Sequence, residues 1–149
     1  MRQTLQILDY LATQEEAVLT YNASDMILAV HINASYLSDP KAQSRAGGHF
    51  FLSGNTTIPA NNGAILNIAH IIKHVMKSST EEEFSVLYIM AREAVYILVI
   101  LEELGHTQPP TPLQTYNSMA DSVINEKNKT KVNQGHGHAI TLVERHEMT

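Results

Sequence analysis

The chain has 149 residues, 44% of them hydrophobic and 17% charged, a size and balance that fit one folded domain and exclude intrinsic disorder. It has no cysteine, which excludes disulfides and thiolate zinc sites and favours a reducing intracellular setting, cytoplasmic or nuclear. A net charge of −5 with only ten Lys and Arg argues against strong nucleic-acid binding, which draws on a basic surface.

The first ten residues lack a basic stretch followed by an apolar one, so no secretory signal is expected. The longest apolar run, residues 94–101, falls well short of the ~20 residues of a membrane span, so no membrane association is expected. Leu5, Leu8 and Leu11, with Ile7 beside them, predict an amphipathic helix over residues 3–12 that needs a partner surface. Residues 17–36 are rich in β-branched and aromatic side chains and predict two strands, broken near Asn22-Ala-Ser24-Asp25. Within the second, from residue 26 to 36, Met26, Leu28 and Val30 alternate with Ile27, Ala29 and His31. Ser38-Asp39-Pro40 and Gly47-Gly48 read as turn chemistry, and residues 49–52 as the returning strand of a hairpin.

Residues 59–63 form a second turn cluster, and the β-branched run 64–76 follows it. Periodicity leaves strand and helix open there; we read a strand. Ser78, Ser79 and Thr80 each stand three residues before Glu81, Glu82 and Glu83, a capping box in any of three registers. A helix is therefore predicted over residues 79–104, with Gly105 as its stop and prolines soon after. Residues 111–115 predict a short strand, and residues 118–126 a short helix capped by Asn117 or Ser118. Strands followed by a crossover helix into another strand describe an α/β fold with a mixed sheet.

The ordered motifs resemble the ribonuclease H domain of copia-type retrotransposon polyproteins. Ile27-Leu-Ala-Val-His31 with Ala34-Ser-Tyr36 is similar to that family's first strand, and Ser44-Arg-Ala-Gly-Gly-His49 to the turn into its second. Ser78-Ser-Thr-Glu-Glu-Glu-Phe84 and Ala91-Arg-Glu-Ala-Val-Tyr96 resemble its central helix, and Gln114-Thr115 with Asn117, Ser118 and Ala120 its next catalytic strand and following helix. The likeness spans roughly residues 2–131. It implies a ribonuclease-H-like mixed sheet with a long central helix and flanking helices. It also divides the chain into residues 1–16, resembling the end of the reverse transcriptase connection, the domain proper at 17–132, and a divergent tail at 133–149.

The family's activity, by that resemblance, is hydrolysis of the RNA strand of RNA–DNA hybrids with two Mg²⁺ ions ~4 Å apart, held by carboxylates. The first family aspartate falls at Asn33, the helix glutamate at Glu83 and the second aspartate at Tyr116. One carboxylate of the three is kept. Asn33 offers Mg²⁺ a neutral oxygen at best, and Tyr116 brings a phenol, a group that is ordinarily uncharged at neutral pH. The tail reads Gly135-His-Gly-His138 onward and does not align with the motif carrying the fourth acid, although Glu144 and Glu147 lie in it. The resemblance thus implies a degenerate, non-cutting copy of a transposable-element domain, with an RNA–DNA hybrid and a reverse transcriptase segment as the family's partners and Mg²⁺ as its cofactor.

Other features have plainer readings. Asp25, Asp39 and Asp121 suit turns or helix ends, and Lys127, Lys129 and Lys131 a solvated loop. His70 and His74 share a face in helix or strand but lack a third ligand, and His136 and His138 flank glycine in the tail. Leu98 and Val99 make the central helix more apolar than the resemblance leads one to expect. The remaining readings are a non-catalytic module that binds hybrid or protein, and an active nuclease whose missing acids come from elsewhere.

Overall fold

Alternation along the first strand sets up the architecture: Leu28, Val30 and Ile32 point to one side and join a single core with the long helix. The computed structural model describes residues 2–14, 16, 18–39, 43–56, 58–73, 76–115 and 138–141. Helix α1 (Arg2–Ala12) is followed by strands β1 (Ile27–Asp39), β2 (Gln43–Ser53) and β3 (Ala64–Ile72), helix α2 (Ser79–Glu103), and strands β4 (Pro112–Thr115) and β5 (His138–Thr141). The chain is therefore α/β, with one mixed sheet in the order β3-β2-β1-β4-β5. β1 runs antiparallel to β2 and parallel to β4, while β2 with β3 and β4 with β5 are antiparallel pairs. A parallel neighbour needs a crossover, and α2 lies within the one that joins β3 to β4.

Helix α2 is fixed by local chemistry at both ends. The Ser78 hydroxyl accepts from the Glu81 amide at 3.2 Å, and the Glu81 carboxylate accepts from the Lys77 amide at 2.8 Å. Of the three possible registers the structure uses the Ser78–Glu81 pair. Glu83 accordingly lies two residues beyond the third helical position. At the other end Gly105 has φ +90°, its amide donates to Glu102 and the His106 amide donates to Leu101, closing a Schellman motif. Val86, Leu87, Met90, Ala94 and Leu101 are buried in the core shared with the sheet. By length and composition α2 could cross a membrane, yet this row of contacts makes it the core helix of the sheet. Its outer side exposes Tyr88, Val95, Tyr96, Ile100 and Leu104. The amphipathic α1 likewise keeps Leu5, Ile7, Leu8 and Leu11 more than half exposed.

Two sequence expectations need correction. Gly47 and Gly48 are not turn residues: β2 begins at Gln43 and both glycines lie inside it, opposite Asn33 and Ile32. Gly48 leaves room for Met90: a Cβ there would meet Met90 Sδ and come within 3.0 Å of the Phe50 ring, so the methionine side chain would have to shift. Only one strand, β1, forms between residues 18 and 39. The segment before it is held by side chains in place of a ladder. Tyr21 donates its hydroxyl to the Ala64 carbonyl at 2.9 Å and lays its ring over Gly63, while Asn62 accepts from the Asn22 amide at 2.8 Å and donates to the Asn22 carbonyl at 3.0 Å. The other expected elements are present, with β1 extending to Asp39 and residues 64–72 forming a strand. The short helix expected at 118–126 lies outside the described residues.

Gln108, on the link from α2 to β4, stands in for a neighbouring strand at the start of β1. Its amide donates to the Met26 carbonyl at 2.9 Å and accepts from the Leu28 amide at 3.0 Å. Both backbone groups would otherwise lack partners where β4 has not yet begun.

Candidate functional site

The Glu81-Glu82-Glu83 triplet opens α2 against the sheet, and each member has a different environment. Glu81 caps the helix. Glu82 is fully buried and receives a hydrogen bond from the Ser44 hydroxyl, whose oxygen also accepts from the Leu37 amide at 3.1 Å. Its Oε1 has no hydrogen-bond partner among the described residues. Burial pushes the Glu82 carboxyl above its usual range; the Ser44 bond opposes this, and the neighbouring Glu83 charge adds to it. Glu83 is half-buried, and its Oε2 lies 3.5 Å from the Thr115 hydroxyl at the end of β4.

Thr115 pairs in parallel register with Ile32, the residue before Asn33. Glu83 and strands β1 and β4 therefore meet around the C-terminal end of β4. The side chains do not all face one way. Ile32 and Gly48 pair directly and face α2, where Met90 abuts Gly48. Asn33 and Gly47, one residue further along each strand, fall on the opposite side by the two-residue period, and Asn33 is exposed. Tyr116 lies outside the described residues, as do Asp121, His74, Glu144 and Glu147.

This donor set does not fit a pair of Mg²⁺ ions. Glu83 is a single carboxylate already close to a hydroxyl, and Asn33 presents a neutral amide on the other face of the sheet. Among the described residues no three His, Asp or Glu side chains gather as a metal site. The Asp25 carboxylate accepts from the Asn55 amide at 2.9 Å, a turn-closing role. His70 is exposed on β3.

Sequence reading passed over the sheet face opposite α2. His31 on β1 and His49 on β2 are directly opposed, their ring centroids 6.2 Å apart. Phe51 meets His31 edge-on at 4.9 Å and lies tilted to His49 at 5.3 Å. Burial lowers the His31 pKa; a bond from its ring to the Gln114 side chain partly opposes this, and the nearby His49 reinforces it. The alternation that puts His31 on the face opposite Val30 was visible in the sequence, but its partner depends on hairpin register. Comparison of the chain with protein-family models, with curated proteins and with solved structures gives no match in any of the three.

Proposed function

We propose that this chain is a ribonuclease-H-like domain derived from a copia-type retrotransposon polyprotein, in which cleavage of RNA–DNA hybrids has been lost. The observation that carries the reading is the adjacency of β1, β4 and the start of α2, with Glu83 beside Thr115, the residue before Tyr116. The ordered sequence motifs support the same assignment. Loss of activity follows from charge. Two Mg²⁺ ions bring four positive charges, and of the three aligned acids only Glu83 is kept. Losing one positioned group that acts on the transition state can cost ~3 kcal/mol, a factor of 10² or more in rate. The weak basic character of the chain makes hybrid binding weak and salt-sensitive.

The test is cleavage of a labelled RNA–DNA hybrid with Mg²⁺ or Mn²⁺. The unaltered chain should be silent. Metal-dependent cutting by the unaltered chain, abolished by Glu83→Gln, would overturn the loss of activity and favour a nuclease completed by other residues. A second reading, a non-catalytic module for hybrid or protein, is favoured by the apolar outer side of α2 at Tyr88, Val95, Tyr96 and Ile100. Salt-dependent hybrid binding without cleavage would support it.

A further inference from the structure

Strand β3 closes one side of the sheet: its inner edge pairs with β2, and among the described residues nothing pairs with its outer edge. Six of its nine residues are exposed, Ile65, Leu66 and Ile71 among them. Edge strands are usually blunted by a lysine, a proline or a bulge, because a row of unpaired N–H and C=O groups is a template for another strand. β3 contains neither lysine nor proline, and its one register shift lies at its start, between Ala64 and Leu66. Residues 66–72 are left regular, about 24 Å long, and contain no Lys, Arg, Asp or Glu. Leu66 pairs with the buried Phe50 and Ile72 belongs to the core, so Leu66, Ile68, His70 and Ile72 lie on the α2 side of the strand. Beside Ile72 an open groove of about 760 Å³ separates β3 from α2, lined by Met76, Phe84, Tyr88 and Ile89.

We propose that β3 is a homodimer contact, in which two copies of this chain pair their β3 edges antiparallel about a two-fold axis and continue one sheet into the other. The occupant is a second copy because the edge is self-complementary. An axis through Ala69 sets Leu66 of each copy opposite Ile72 of the other, so each exposed leucine reaches the groove beside that isoleucine. The same register opposes Ile68 with His70 on the α2 side and Asn67 with Ile71 on the far side. A slip of one residue would put the second copy's helix on the other side of the sheet and leave both grooves open. Charge also permits the contact: two chains of net charge −5 meet along a segment without Lys, Arg, Asp or Glu, so no like charges stand face to face. Counting the sheet and the helix packed on it, the edge is about 20 Å deep. It offers on the order of 500 Å² per copy, or ~1,000 Å² for the pair, the size at which specific association begins. The contact is separate from Glu83 and does not depend on the proposed ancestry.

The experiment is sedimentation equilibrium of the full chain from micromolar to submillimolar concentration. The unaltered chain should follow a monomer–dimer equilibrium without larger species, because a two-fold contact closes on itself. Ala69 is exposed, so Ala69→Lys and Ala69→Glu should fold normally. Each places like charges directly opposite across the axis and should weaken the dimer about 10-fold or more. Mixed in equal amounts, the two variants should recombine as a heterodimer, since lysine then faces glutamate. Leu66→Ala leaves the groove unfilled and should also weaken the dimer about 10-fold or more, and it keeps the contact testable should a charged variant fail to fold. A chain that stays monomeric throughout, association left unchanged by all three variants, or charged variants that fold but do not recombine would overturn the proposal.

Discussion

Thr115 Oγ1 lies 3.5 Å from Glu83 Oε2, a contact between the start of α2 and the end of β4. At that distance, with Glu83 half-buried, the interaction is weak. Glu83→Gln should therefore change stability in urea by less than about 1 kcal/mol. This makes it a clean control for the cleavage assay. A loss of several kcal/mol would show that Glu83 is structural and that its effect on activity cannot be read separately.

Gly48 faces Met90 across the sheet–helix interface. Gly48→Val should destabilise by about 1–3 kcal/mol through overpacking. Met90 is fully buried, so Met90→Ala alone should cost about 2–5 kcal/mol by opening a cavity. Combined, the two changes should cost less than their sum, because the valine fills the space the methionine leaves. Strictly additive losses in chemical denaturation would show that residue 48 does not meet Met90.

The Ser78 cap separates three residues that look equivalent in sequence. Ser78→Ala should cost about 1 kcal/mol, since it orphans the Glu81 amide. Ser79→Ala and Thr80→Ala, inside the helix, should stay within about 0.5 kcal/mol. Equal losses at all three positions would contradict the observed register.

Glu82 predicts a specific pH dependence. Its carboxyl pKa is raised in the folded chain, so the native state holds its proton to higher pH than the unfolded state does. Stability from this group is complete below the unfolded value of about 4.5 and is lost as pH rises through the folded value. Glu82→Gln keeps an acceptor for Ser44 without the charge. It should raise the melting temperature at neutral pH and flatten the decline above pH about 4.5. A variant less stable than the parent at neutral pH would mean that the charged form is wanted.

How much was legible in the sequence differs element by element. Helix α2 could be bounded from residues alone because its signals are local: a serine three residues before a glutamate, and a glycine where the backbone must turn left-handed. β1 was legible through its two-residue alternation, and the mixed sheet through a helix placed between strands. Tertiary structure decided what depends on distant partners. Gly47-Gly48 has turn composition but lies in a strand paired on both sides by β1 and β3, where Gly48 leaves room for Met90. Residues 18–21 have strand composition but gain no ladder partner, and Tyr21 and Asn22 are anchored by side-chain bonds to the loop before β3. Strand composition could not fix register either. One residue of slip would exchange the two faces of β1, turning Ile32 away from α2 and parting His31 from His49. The three glutamates follow the same rule: sequence placed them together in the first turns of a helix, and the sheet beneath made one a cap, one a buried acid and one a neighbour of Thr115.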